Sequence, residues 1–440
     1  MQGSRMIFAA TFLAAFVSAA SAATLLPLDP SVRAERVRYE KLHINERFGV
    51  PFRPFASACN DVKPGVANCT LKIVTDERGE PRAFHASAIA GFTPLQLAKA
   101  YNLPAVAGGL PIIAVVAAFG DPNVASDLKI YSRQFGLTLL PNCHGPVAQS
   151  GVPCLQAVNG NGGKKLPSGT SWAAVYALDA ELAHGLCPNC SLLLVEAKSN
   201  AQKNLYKAVN TAAALGANTI ALSWAVQEYK KEASDDAKYF THPGVAIVAT
   251  SGSGTYQSCT PFTTTLCFPA SSPHVTAVGG TSLFLNEDGT YNSEIADIAD
   301  SNGCAAYEPK PDWQPDLGGC SRRTTADVAF DADPNTGVAI FNSAGCNKGK
   351  DCWFEVGGTA VGAPAIAAVY ALAGLVPGDT FGSEIPYESG NASNLHDITS
   401  GSDGTCDPSY LCTAEPGYDG PSGLGTPNGT GAFAAKATRR

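Results

Sequence analysis

Several short runs in the 440-residue chain carry residue types able to do covalent chemistry. Gly169-Thr170-Ser171 and Gly279-Gly280-Thr281-Ser282 each present a serine in a small-residue turn, a setting that can expose a hydroxyl as a nucleophile. Asp179 and His184 have the chemistry of a base and its orienting partner. Thr359 follows the Gly357-Gly358 pair, and Cys187-Pro188-Asn189-Cys190 has the spacing of a redox or zinc motif. Each has a plainer reading. Ser171 reads as the N-cap of the helix it precedes. Ser282 reads as part of a strand-edge turn, and the CxxC as a disulfide-closed turn after a helix.

The elements that must position these groups alternate strand and helix. Residues 110–118 (LPIIAVVAA) form the continuous apolar run of a strand buried on both faces. The pattern predicts helices at 123–135, 172–186, 201–215, 231–240 and 359–375, and strands at 191–197, 218–224, 245–250, 275–278 and 336–341. This order predicts an α/β fold, a parallel sheet with helices on both faces. Residues 23–91 are more polar and weakly periodic, and read as a small separate segment. In open α/β sheets, ligands bind at the carboxyl ends of strands. The places to look are the loop after 245–250, the turn before the Thr359 helix and the buried helix around Asp179.

Composition narrows the classes. The net charge is −8, and 15% of residues are charged against roughly 25% in an average soluble protein. With 45% apolar residues the chain is not of a disordered type. The acidic balance argues against a nucleic-acid partner. Residues 1–22 read as a secretory signal: Arg5 gives a positive start, an apolar run follows, and Ala20-Ser21-Ala22 is a small-x-small cleavage site. No membrane span is expected after its removal, and the mature chain is expected to be a secreted monomer, extracellular or held in a periplasm or cell envelope. Export makes disulfides the default for the 14 cysteines. They fall as close neighbours: Cys59 with Cys69, Cys143 with Cys154, Cys187 with Cys190, Cys259 with Cys267, Cys304 with Cys320, Cys346 with Cys352, and Cys406 with Cys412. Seven local staples is the simplest connectivity, although spacing alone leaves other pairings open. Asn68, Asn189, Asn391 and Asn428 open N-x-Ser/Thr sequons.

A set of motifs in order resembles the sedolisins, the serine-carboxyl peptidases. It comprises residues 92–104 (FTPLQLAKAYNLP), Asp121-Pro-Asn123 with Ser126-Asp127-Leu128, and Leu178-Asp179 followed by Cys187-Pro-Asn-Cys190 and LLLVEA. Residues 273–281 (PHVTAVGGT), Val356-Gly-Gly-Thr359 and Leu424-Gly-Thr-Pro427 continue it. The resemblance implies a subtilisin-like peptidase domain over 92–440 and a propeptide-like segment over 23–91. It also implies a catalytic set of Ser nucleophile, Glu base, an Asp four residues after the Glu on the same helix face, and a second Asp at the oxyanion.

Carried over position by position, the orienting Asp is retained as Asp179, the Glu position holds Val175, the oxyanion Asp position holds Ser253, and the nucleophile position holds Ala360, with Pro364 four residues on. A shifted alignment does not recover the missing groups. No Asp or Glu occurs in 128–178 or 237–286, and no Ser in 344–382. Glu181 is two residues from Asp179, about 200° around a helix and so on another face. Ser171 and Ser282 lack the following Pro, and Thr359 is one position out of register.

The same resemblance implies a structural calcium site of two carboxylates and three backbone carbonyls. Asp397 and Asp419 would give side chains, and Ile398, Glu415 and Gly417 carbonyls; an all-oxygen shell suits Ca²⁺. The expected function is that of an inactive serine-type endopeptidase homologue, with a peptide or protein ligand in the former substrate cleft. The alternative is an active acid peptidase using other residues.

Overall fold

The computed structural model describes residues 30–59, 63–261, 263–297, 300–315, 317–346, 352–389 and 394–436. The expected leader, residues 1–22, and the sequon residue Asn391 lie outside them. Among the described residues, the central sheet runs in the order Tyr291–Ala296, Val275–Leu285, Ala246–Thr250, Thr219–Leu222, Ile112–Ala118, Ser191–Ala197, Leu155–Asn159, with Val328–Asp331 also on Val275–Leu285. Every pairing in it is parallel except that of Val275–Leu285 with Tyr291–Ala296. Ile112–Ala118 and Ser191–Ala197 are buried along their whole length, as expected for strands covered on both faces.

Helices pack on both faces of the sheet. Ala173–Leu186 and Gly362–Ala373 pack on each other, and Gly362–Ala373 lies against Ala246–Thr250 and Thr219–Leu222. Gln202–Ala214 packs on Ser191–Ala197 and Ile112–Ala118. Ala173–Leu186 and Gly362–Ala373 are buried almost all round, so they show little apolar periodicity.

Three sequence expectations change. The helix expected at 172–186 starts at Ala173, with Trp172 at its N-cap position and no side-chain capping bond, so Ser171 is not its cap. Ser282 is not in a turn. The strand expected at 275–278 continues to Leu285 straight through Gly279-Gly280, and Ser282 Oγ donates to Asp333 (2.7 Å) and accepts from Arg38 (2.6 Å). Thr359 begins a 3-10 turn, Thr359–Val361, and the α-helix proper starts at Gly362. Among the described residues no helix is long and apolar enough to cross a membrane.

The cysteines pair as close neighbours throughout, and the open question of connectivity closes on the simplest pattern. Cys59 is bonded to Cys69, Cys143 to Cys154, Cys187 to Cys190 and Cys259 to Cys267. Cys304 is bonded to Cys320, Cys346 to Cys352 and Cys406 to Cys412. Cys154 precedes the edge strand Leu155–Asn159, so its bond to Cys143 fastens the loop that enters that strand. Cys320 ties the approach to Arg322–Thr325 back onto its partner strand Gly303–Pro309 through Cys304. Cys352, one residue before Trp353–Gly357, is held to Cys346, which follows the 3-10 turn Ser343–Gly345.

The N-terminal segment is woven into the rest of the chain. Helix Pro30–Lys41 is docked by Arg38, bonded to Glu35, Ser282 and Asp333, and by Tyr39 OH, which donates to Asp333 (2.5 Å). Phe48 stacks on Phe284 at 3.8 Å. Strands Phe55–Ser57 and Lys72–Val74 pair with each other, and Lys72–Val74 also pairs antiparallel with Trp353–Gly357. Asn68–Cys69 pairs with Trp224–Gln227, the continuation of a central strand after a break at Ser223.

Candidate active site

Four pieces of chain meet at the carboxyl ends of the central strands. The first is helix Ala173–Leu186, which carries Val175 and Asp179. The others are Ser223 in the strand break, the Ser251-Gly252-Ser253-Gly254 turn after Ala246–Thr250, and the Gly358-Thr359-Ala360 turn at the start of the last long helix.

Ser223 ties three of them together. Its hydroxyl donates to Asp179 Oδ1 at 2.6 Å and lies 3.0 Å from the Ala360 carbonyl oxygen. Thr359 Oγ1 donates to the Gly252 carbonyl (2.5 Å) and accepts from Thr250 Oγ1 (2.5 Å), joining the two turns. Gly252 has φ +134°, and a Cβ there would stand 2.3 Å from Ser301 Oγ, so the turn needs glycine. Ala360 and Val175 are fully buried. Beside Val175 lies a cavity of about 280 Å³ lined by Ala56, Ile73, Trp172 and Asn342.

Burial pushes the Asp179 carboxyl well above the usual range, and the Ser223 hydroxyl pulls it part-way back. Asp179 Oδ2 has no hydrogen-bond partner among the described residues. Ser223→Ala would remove the side-chain donor to this carboxyl. A loss of about 1–3 kcal/mol in stability is expected, readable as a lower urea midpoint at unchanged slope.

The other chemically suggestive residues are held elsewhere. Glu181 accepts from the Phe341 backbone N–H (2.8 Å) and so faces away from Asp179's partners. His184 Nε2 is 2.8 Å from the Thr138 carbonyl, and burial lowers its pKa to about 4. Ser171 is exposed. Cys187 and Cys190 are disulfide-bonded, which leaves no thiolates for zinc.

Two residues of the site were not singled out in the sequence. Ser223 was hidden in a run that reads as an unbroken strand. Asp300 arrives from beyond the carboxylate-free window: it accepts from Ser251 Oγ and from the Gly280 N–H (2.9 Å). It is fully buried and shifted upward by burial, with Lys72 of the N-terminal segment pulling the other way. Both its oxygens are engaged behind the 251–254 turn, so it does not replace a carboxyl at Ser253.

The cleft beside these turns is lined by backbone already paired. Trp224–Gln227 has Cys267–Phe268 on one edge and Asn68–Cys69 on the other.

The oxygen-rich loop near the C-terminus is a separate cluster. Asp397 Oδ2 accepts from Gly417 N (2.9 Å), and Asp419 Oδ2 accepts from Glu415 N (3.0 Å), so both carboxylates converge on one turn. Asp419 is fully buried, and burial, with the Asp397 charge adding, pushes its pKa up to about 7. Two carboxylates that repel each other across one turn fit a hard cation. Among the described residues no three His, Cys, Asp or Glu side chains cluster with metal-binding geometry, so a cation here would depend on backbone oxygens.

No family model matches the chain. It is 32% identical over 179 residues to sedolisin of Pseudomonas sp. (strain 101), covering 37% of this chain and 29% of that protein. It is 25% identical over 401 residues to kumamolisin of Bacillus sp. (strain MN-32), covering 84% of this chain and 68% of that protein. The match thus spans less than a third of the first relative and about two thirds of the second. Among solved structures, it is similar to Pseudomonas sedolisin, a serine-carboxyl proteinase complexed with two molecules of pseudo-iodotyrostatin. The TM-score is 0.65 at 23% identity, over 78% of this chain and 96% of that one.

Proposed function

We propose that this chain, a protease-like protein with a subtilisin-like fold that is similar to the sedolisins, is a secreted, catalytically silent member of that family. The observation that carries this is the methyl group of Ala360 in the turn beside Ser223 and Asp179. Nucleophilic catalysis needs an oxygen or sulfur at that position to form the acyl-enzyme and a base to take its proton. An Ala360 methyl cannot be acylated, and a Val175 isopropyl group accepts no proton. Loss of the nucleophile alone costs about 10⁶ in turnover in subtilisin. At the third position Ser253 offers a neutral hydroxyl in place of a carboxylic acid, and removal of an oxyanion donor costs roughly 10²–10³ even in an intact site. Asp179 remains, with nothing to orient.

On this reading the domains are a leader over 1–22, a segment over 23–91 that stays attached, and a peptidase-like domain over 92–440. The scaffold serves binding of peptide or protein. Seven disulfides support an extracellular site. The test is a casein digest at about pH 4, followed by N-terminal sequencing of the protein itself. No peptide release above blank and an uncut segment are expected.

We further propose that Asp397 and Asp419, with the carbonyls of Ile398, Glu415 and Gly417, hold one structural Ca²⁺. The ion would neutralise the two converging carboxylates and rigidify the loop closed by the bond between Cys406 and Cys412. Chelation is expected to lower Tm, and added Ca²⁺, but not Mg²⁺, to restore it, because Mg²⁺ demands a smaller octahedral shell. In Asp419→Asn the chelator should have no effect.

A further inference from the structure

We infer that Lys165, Lys198 and Lys207 form a binding site for an acidic saccharide, at the carboxyl ends of the two strands that finish the central sheet. The inference goes beyond the proposed function and does not depend on it, since these lysines take no part in the cluster around Ser223, Asp179 and Ala360.

The observation that carries it is a cavity of about 690 Å³. The cavity lies between the loop after Leu155–Asn159, Lys198 just after Ser191–Ala197, and the first turns of helix Gln202–Ala214. The two strands are parallel, and ligands of parallel sheets settle outside the carboxyl ends of strands. The three lysines line the cavity together with Asn161, Ser168 and Asn204. The lining holds no Asp, Glu or aromatic side chain among the described residues, in a chain whose net charge is −8. Among the described residues none of the three lysines has an ion-pair partner. Glu196, two residues before Lys198, is buried and lies against Gly120: a Cβ there would stand 2.6 Å from Glu196 Oε2.

The walls are fixed from within the chain. Asn159 Oδ1 accepts from Asn161 N (2.9 Å) and Gly163 N (3.0 Å), and its Nδ2 donates to Lys165 O (2.9 Å). Gly160 N donates to Glu196 O (2.7 Å), and the Gly160 carbonyl accepts from Thr211 Oγ1 of the facing helix (2.8 Å). Asn204 Nδ2 donates to Ser199 Oγ (2.8 Å), next to Lys198. The backbone that carries the lysines is thus in place before a ligand arrives, which cuts the ordering cost of binding. Asn204 and Lys207 are three residues apart on one helix face near its N-terminus, where the helix dipole adds to the positive potential.

The chemistry of the lining selects the ligand. Lysine ammoniums attract carboxylate, sulfate or phosphate groups as compact point charges. Three of them around a space of this size suit a ligand with several such groups, since small-molecule sites occupy about 300–1,000 Å³. Without an aromatic ring in the lining, a nucleobase has no stacking platform. The Asn161 amide and the Ser168 hydroxyl offer hydrogen bonds to hydroxyl groups, and Leu166 offers one apolar contact. A chain of sugar rings bearing oxoanion groups has all of these features.

The test is calorimetric titration of the full chain with tri-galacturonate at low salt and about pH 6, where uronates and lysines are both charged. A Kd of about 1 mM or tighter is expected, with no binding of the trimethyl ester. Raising the salt to about 0.2 M should weaken binding several-fold by screening. All three lysines are exposed, so the variant Lys165→Ala/Lys198→Ala/Lys207→Ala should fold, and it should bind at least about tenfold more weakly. Lys129→Ala, an exposed lysine on helix Val124–Phe135, should bind like the wild type. No binding of tri-galacturonate, or equal binding by the triple variant, would overturn the site. Binding of triglutamate as tight as that of tri-galacturonate would overturn the saccharide assignment in favour of an acidic peptide.

Discussion

Restoring Ala360→Ser, Val175→Glu and Ser253→Asp together is expected to create an acid peptidase, and none of the three alone to do so. The reason is that nucleophile, base and oxyanion acid act as a unit, so each is worth little without the others. Asp179 is already in place one helical turn beyond residue 175, where i and i+4 share a face. The roughly 280 Å³ cavity beside Val175 gives a glutamate room. Ala360 precedes the Gly362–Ala373 helix by one residue pair, so a serine there would emerge at a helix start, where the dipole favours negative charge. The gain over wild type should be at least about 10³-fold in casein hydrolysis at acid pH. Activity in Ala360→Ser alone would show that the base had been placed wrongly.

The second large effect is on stability against pH. Burial raises several carboxyls: Asp121 to about 6, Glu196 to about 7 and Glu308 to about 8. The neighbouring Glu228 and Glu232 are shifted upward as well, chiefly by burial. A carboxyl that binds its proton more tightly in the fold adds stability that is complete below its ordinary pKa. That stability is lost as pH rises through the folded value. His184 and His396, lowered to about 4 by burial, act in the opposite sense, but only below the ordinary histidine pKa of about 6.5. Between pH 6.5 and 8, therefore, the carboxyls act alone. Tm is expected to fall by about 5 °C from pH 5 to pH 8, with the steeper part above 6.5. A flat or rising profile in calorimetry would contradict this. Combined Glu196→Gln and Glu308→Gln should flatten it.

The legible parts of the fold are those whose signal is local and long. Residues 191–197 are a strand in both readings because seven consecutive apolar-flanked residues, buried on both faces, leave no other regular structure of that length. The disulfides were legible because even the most widely spaced pair, Cys304 with Cys320, spans only 16 residues. Asp179 and Val175 share a face by helical period alone. The N-terminal segment was not legible, for a physical reason. Its strands are two or three residues long, too short to carry a period. Its first helix is strongly polar and held by distant partners, Ser282 and Asp333. Ser282 itself reads as a turn residue because Gly279-Gly280 is a turn signal. In the sheet those glycines instead admit close neighbours: a Cβ on Gly279 would lie 2.5 Å from the Pro421 carbonyl oxygen. Asp300 shows the limit of a window argument, since a carboxyl missing along the chain can still arrive through space.

The central claim is that a sedolisin scaffold keeps its site geometry and its own N-terminal segment while lacking the groups that cut. Its most direct test is the intact mass of the wild-type protein after incubation with Ca²⁺ and casein at about pH 4. The predicted result is one chain beginning near Ala23, unchanged with time, and no peptides above blank. A chain that shortens itself by losing the 23–91 segment while releasing casein peptides would contradict the account.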